Sequence, residues 1–351
     1  MEYRQLGQSG LRVSTITLGT MGFGGSGWAA AVGQIDVEGA RRQIDLARDA
    51  GVNLFDTADV YSSGASEEIL GQALGSDRQD VLVATKARMP MGEGPNDAGL
   101  SRHHIIRAAE ASLRRLGTDY IDLYQVHEWD GQTPLEETLA ALDHLVNSGK
   151  VRYIGCSNYA AWQLTKALWT SEREGLVRFV SQQVYYSLQA RDIEYELVPL
   201  SVDQGLGILV WSPIAGGLLS GKYRRGGDAP AGSRHLGEWS EPPVHDENKL
   251  YDTIEELVAI GDDRGVSAAR VALAYIIAKP AVTSVIVGAR TAEQLADNVA
   301  AAELSLSGDE LARLDAVSAQ PLLYPYWHQA NNSSDRLSAA DLTLLGRHVH
   351  G

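Results

Sequence analysis

Short apolar runs rich in β-branched residues recur along the chain. They are ITLG (16–19), VNLFDT (52–57), VLVATK (81–86), IDLYQVH (121–127), VRYIGCS (151–157), FVSQQVY (179–185), GILVWSP (207–213) and SVIVG (284–288). Between them lie segments with apolar residues every three or four positions, such as 36–50, 102–116, 135–148, 160–174 and 291–302. In 102–116 the residues Ile105, Ile106, Ala109, Leu113 and Leu116 fall on one helical face. Continuous apolar strands alternating with amphipathic helices predict a parallel sheet covered on both faces. Eight such strands predict an α/β fold, a single (β/α)8 TIM barrel spanning 1–351.

Three stretches depart from that alternation. Residues 2–14 alternate around GQSG and predict a β-hairpin ahead of the barrel, placed to close its bottom. Residues 223–247, rich in Gly, Pro and charge, predict a long surface loop after the seventh barrel strand. The segment 319–351 is a long tail, aromatic from Pro321 onward. This tail, with Trp28, Trp129 and the 223–247 loop, either lines the mouth of a substrate pocket or simply packs.

Composition narrows the function. The chain has 351 residues, 44% of them hydrophobic, and a formal net charge of −15. Such an acidic chain is poorly suited to nucleic acid or to an anionic membrane surface. The single cysteine, Cys156, leaves no intramolecular disulfide framework or cysteine metal cluster. The N-terminus lacks an apolar signal core, and no run approaches the roughly 20 apolar residues of a membrane helix. A cytoplasmic protein with a small-molecule substrate is expected.

The strand ends carry the candidate chemistry: Asp56, Lys86, His127, Ser157 with Asn158, Gln183, Trp211 with Ser212, and Gly288 through Arg290. In a parallel barrel all of these ends share one rim, where such folds place their chemistry. Taken singly, each has an ordinary reading. Asp56 could cap a turn, although Ser66, before Glu67 and Glu68, is the expected cap of the 66–74 helix. Lys86 could extend to solvent, Tyr61 could pack, His127 could be a core histidine, and Cys156 reads as a small buried strand residue. Taken together, Asp56, Tyr61, Lys86 and His127 compose a proton-donating centre. A lysine beside a phenol favours phenolate, a carboxylate holds the lysine, and a histidine can donate to a carbonyl oxygen. No metal is expected there, because a lysine ammonium has no lone pair to offer. The chain has no G-x-S-x-G elbow and no H-E-x-x-H helix. A metal-dependent hydrolase on the same barrel would need several strand-end ligands, and His127 is the one strand-end histidine.

With these residues in place the chain resembles the aldo-keto reductases, from YRQLGQSGLRVSTITLGTMGFGG to VIVGARTAEQLADN. The motifs are FDTADVYSSGASEEILGQAL, LYQVHEWD, GKVRYIGCSN, SQQVYYSLQARDIE and WSPIAGGLLSGKY, the last similar to the LAGGLLTGKY type of loop in bacterial and plant members. The resemblance implies a barrel that binds NADP(H) without a Rossmann domain and reduces aldehydes or ketones reversibly. It implies Asp56, Tyr61, Lys86 and His127 as the catalytic tetrad, with Tyr61 the proton donor and Tyr61 and His127 facing the substrate. Asp56, Ser157, Asn158 and Gln183 would sit at the nicotinamide, with Trp211 stacked on its ring and Gly19, Thr20 and Met21 beside it. Ser212, Ile214, Gly216, Leu218 and Lys222 would wrap the pyrophosphate. Gly288, Arg290, Gln294 and Asn298 would hold the adenosine end, with Arg290 on the 2′-phosphate. Ser62 stands where many relatives have glycine, Ile214 replaces a common leucine, and Trp211 replaces the tyrosine of some branches. Some relatives of this fold bind NADPH and control a partner protein. A redox-sensing regulatory subunit is therefore the alternative.

Overall fold

The computed structural model describes residues 1–25, 32–228 and 241–349. Two short strands, β1 (Tyr3–Gln5) and β2 (Arg12–Ser14), pair antiparallel with Tyr3 opposite Ser14. Eight parallel strands follow: β3 (Ile16–Gly19), β4 (Leu54–Asp56), β5 (Leu82–Ala87), β6 (Ile121–Val126), β7 (Val151–Ser157), β8 (Ser181–Tyr185), β9 (Gly207–Trp211) and β10 (Val282–Val287). They form a closed barrel in sequence order, with β10 returning to β3. This is the (β/α)8 barrel expected from the apolar runs.

The outer layer comprises α1 (Val37–Asp49), α2 (Ala65–Leu74), α3 (Arg102–Leu116), α4 (Leu135–Asn147), α5 (Ala161–Glu174), α6 (Leu197–Gln204), α7 (Glu247–Arg264), α8 (Ala268–Ile277) and α9 (Ala292–Val299). Helix α7 is an insertion between β9 and α8. It packs on α8, which is why α8 is apolar all round, with Val271 to Ile277 all buried. After the barrel come α10 (Gly308–Val317), α11 (Tyr326–Asn332) and α12 (Ala339–Leu345).

Strand periodicity divides the barrel interior into two zones. Inward-facing Leu54, Ala84, Leu123 and Leu209 form one apolar cluster with Leu6 and Val13 from the hairpin, apart from the larger layer between strands and helices. The hairpin therefore plugs the amino-terminal end. Gly7, at φ 59°, lies flat against that end: a Cβ there would stand 2.4 Å from the Val180 carbonyl oxygen. Two residues further along the same strands, on the same face, stand Asp56, Lys86, Gln125 and Trp211. The apolar floor thus gives way to a polar layer at the carboxyl end.

One expectation is corrected. Helix α2 starts from Gly64 at φ 97° with no side-chain cap, not from Ser66. The left-handed turn at Ser62, Ser63 and Gly64 starts the helix early enough to place Ser66 inside it. There the Ser66 hydroxyl donates to the Thr20 carbonyl at 2.8 Å and meets the Thr57 hydroxyl at 2.9 Å. Of the two readings of the tail, its described residues show packing. The Tyr326 ring stacks on Tyr195 at 5.8 Å and its hydroxyl donates to Glu196, while α12 packs on α6 and Arg347 pairs with Glu194 at 3.2 Å. Partners on the barrel flank thus satisfy the tail's aromatic and charged groups.

Candidate active site at the carboxyl end of the barrel

The end of β5 puts Lys86 in the barrel interior with no solvent exposure. Its ammonium donates to Asp56 Oδ1 at 2.5 Å, to the Thr57 carbonyl at 2.8 Å and to the Tyr61 hydroxyl at 3.3 Å. The second oxygen of Asp56 accepts from Gln183 Nε2 at 2.8 Å and from Gln125 Nε2 at 3.2 Å. Four strands therefore fix one carboxylate, which fixes one ammonium beneath one phenol. The Tyr61 and His127 rings meet edge to face at 5.9 Å.

Burial works against the charge on Lys86, yet Asp56 and Tyr61 more than offset it and hold the ammonium above its ordinary pKa. Burial also dominates at Tyr61 and pushes the phenol upward, with Lys86 pulling against it. The lysine therefore tempers the phenol rather than depressing it. His127 is driven down to about 3 by burial and then by the charges of Lys86 and Arg88. The imidazole is thus neutral at physiological pH, suited to donating a hydrogen bond and unsuited to carrying a proton. Burial raises the Cys156 thiol far above its usual range, which leaves it inert.

A cavity of about 1260 Å³ opens above these groups, lined by Asp56, Tyr61 and His127 at one end and by Arg290, Gln294 and Asn298 at the other. Gly19, Thr20, Met21, Ser157, Asn158, Gln183, Trp211, Ser212, Ile214, Gly216, Lys222 and Gly288 are also on its wall. Lys86 lies behind Tyr61. Leu218, expected on the wall, is buried in the core, because the turn at Gly216 and Gly217 directs it inward. Trp129, expected either at the substrate mouth or in packing, packs edge-on against Tyr159 at 5.1 Å and Trp162 at 5.7 Å. Trp28 lies outside the described residues, as does 229–240 of the expected surface loop. No tail residue lines the cavity among the described residues.

The polar groups on this wall have capacity to spare. The Ser157 hydroxyl donates to the Gln183 carbonyl at 2.9 Å, leaving its oxygen to accept. Asn158 Nδ2 donates to the His127 carbonyl at 3.2 Å and its Oδ1 accepts the Trp211 indole N–H at 3.1 Å, leaving one N–H. Gln183 spends its amide nitrogen on Asp56 and Gln125, leaving Oε1. Acceptors and a donor on one rim complement a primary carboxamide. Asn158 (φ 58°) and Ser212 (φ 50°) hold left-handed backbone there, a strain that concentrates where ligands are gripped. The residues present fit a nicotinamide dinucleotide.

The model of the Aldo/keto reductase family matches residues 15–319. The chain belongs to the aldo/keto reductase family. Similar proteins include the "Probable voltage-gated potassium channel subunit beta" of Arabidopsis thaliana, 39% identical over 87% of this chain and 92% of its own. The "Uncharacterized oxidoreductase YrpG" of Bacillus subtilis is 40% identical over 92% of this chain and 97% of its own. The "Versiconal hemiacetal acetate reductase" of Aspergillus parasiticus is 36% identical over 93% of this chain and 99% of its own.

In this aldo/keto reductase Ser62 ties its turn to the loop after β3. Ser62 keeps the left-handed backbone at φ 50°, and its hydroxyl accepts from the Gly25 N–H at 2.9 Å and donates to the Phe23 carbonyl at 3.1 Å. Sequence reasoning passed over Gln125, which shares the inward face of its strand with Leu123 and could have been found from that alternation. It also passed over Glu128, next to His127 on the cavity wall, and over Asp59 and Glu67, buried beneath the Tyr61 turn. Among the described residues no three His, Cys, Asp or Glu side chains are grouped to hold a metal ion. No described helix is long and apolar enough to cross a membrane.

Proposed function

We propose that the protein is an NADP(H)-dependent oxidoreductase that reduces aldehydes or ketones to alcohols, reversibly. The observation that carries this reading is the Lys86 ammonium held 2.5 Å from Asp56 and 3.3 Å from the Tyr61 hydroxyl, with that phenol on the cavity wall beside His127. Ser157, Asn158 and Gln183 would hold the nicotinamide carboxamide, Trp211 its ring, the 212–222 loop the pyrophosphate and Arg290 the 2′-phosphate. Bound there, the cofactor supplies the hydride. As the carbonyl oxygen gains negative charge, Tyr61 gives it a proton and His127 donates a hydrogen bond to it. The Lys86 charge stabilises the phenolate left behind, and Asp56, clamped by Gln125 and Gln183, keeps that charge in place. In alcohol oxidation the proton returns to Tyr61. The acidic chain, without a membrane-crossing helix among its described residues, fits a cytoplasmic enzyme with a small-molecule partner.

One observation favours a second reading. Relatives named as potassium channel subunits are as similar to this chain as one named an oxidoreductase, which suits an NADPH-binding regulatory subunit with little turnover. Following NADPH absorbance with a panel of aliphatic, aryl and sugar aldehydes and ketones separates the two. Carbonyl-dependent oxidation of NADPH is expected. Tight NADPH binding with no turnover of any carbonyl would replace the reductase reading with the regulatory one.

A further inference from the structure

We propose that Glu128 sets substrate selectivity, its carboxylate favouring a carbonyl compound that carries a positive charge over an anionic one. This rests on the carbonyl-reductase reading and deepens it.

Glu128 follows His127 directly where β6 ends, and its side chain lines the cavity. Among the described residues it makes no ion pair and no hydrogen bond to another side chain; the Trp129 backbone N–H favours its charged form, and Arg88 acts on it from a distance without pairing. Burial pushes its carboxyl above the usual carboxylate range. Of the other carboxylates on the wall, Asp56 is engaged by Lys86 and Asp297 by Arg270 at 2.6 Å. Around Glu128 the wall at this end includes the apolar Val60, Met89 and Pro90. A partly desolvated carboxylate without a cation beside it is costly, and a ligand cation reaching it relieves that cost while an anion adds to it. Its position beside His127 means that a group a short distance from the reacting carbonyl would meet it.

The test compares three benzaldehydes substituted at the para position with trimethylammonium, its neutral isostere tert-butyl, and carboxylate. For each, kcat/KM with NADPH and equilibrium binding to the NADP+-loaded protein are measured. In the wild type the trimethylammonium compound is expected to exceed tert-butyl by roughly tenfold, with carboxylate the poorest. Glu128→Gln should bring the cation-to-neutral ratio close to one, and Glu128→Lys should invert it, with NADPH binding checking that each variant is folded. A wild-type ratio at or below one overturns the proposal, as does a Glu128→Gln ratio equal to the wild type. Should Glu128→Gln fail to fold, Glu128→Ala is read in the same way: a ratio close to one supports Glu128, and a ratio equal to the wild type refutes it. If no aldehyde turns over, the reductase reading fails by itself, and the binding ratios of wild type and Glu128→Gln still decide the role of Glu128.

Discussion

Asp59 is wholly buried beneath the Tyr61 turn, and neither of its carboxyl oxygens makes a hydrogen bond of normal geometry. Its neighbour Glu67 takes the available partners, accepting from Thr85 at 2.5 Å and from Arg115 at 2.6 Å. Burial first, and then the Glu67 charge, push Asp59 up to about 8. The folded protein therefore holds a proton on Asp59 that the unfolded chain releases near its ordinary pKa of about 3.9. Stability conferred by this site is lost as pH rises from about 4 to about 8, because the unfolded state binds fewer protons across that window. Asp59→Asn, which removes the ionisation, should leave the protein more stable than wild type at pH 8, with the advantage shrinking toward pH 4. Denaturant unfolding at both pH values measures this; an advantage that does not change with pH would show that Asp59 is not held protonated. The same balance of burial and charge separates Tyr61 from His127. Tyr61 keeps its proton through neutral pH, and His127 never gains one there.

At the scale of elements, the strands were legible because a strand buried on both faces must be apolar throughout, and VLVATK or GILVWS can hardly be read otherwise. The polar residue ending VLVATK was legible for the same reason: Lys86 interrupts a pattern that leaves no place for it. What sequence could not give was the choice of partners distant in the chain. Ser66 has the local marks of a helix cap, yet Thr20, 46 positions away, engages its hydroxyl. Tyr326 and Trp129 look like pocket aromatics until Tyr195 and Tyr159 are seen beside them. Leu218 sits in a loop whose two left-handed glycines decide which side chains turn inward, and those angles are not written in its neighbours. Gln125 was hidden by its company, a polar residue between an apolar tyrosine and valine on a strand that otherwise reads as core.

On the scale of the whole molecule, a net charge of −15 repels an anionic dinucleotide unless cations are concentrated where it binds. Lys222 and Arg290 stand on the cavity wall, Arg290 just before α9 begins at Ala292. An arginine fork and a helix N-terminus together suit a phosphate. Arg290→Ala should weaken NADPH binding by roughly ten- to a hundredfold and NADH binding far less, since only NADPH carries the 2′-phosphate. Equal losses, or a wild type that prefers NADH, would show that Arg290 does not read that phosphate. The Tyr61 phenol stands 3.3 Å from the buried Lys86 ammonium on the same cavity, and in the proposed reaction it gives its proton to a carbonyl. The most direct test is Tyr61→Phe, assayed beside wild type for NADPH binding and for carbonyl-dependent NADPH oxidation. Binding should be retained while turnover falls by at least about a hundredfold, the scale of a lost general acid. Turnover close to that of the wild type would show that Tyr61 is not the proton donor.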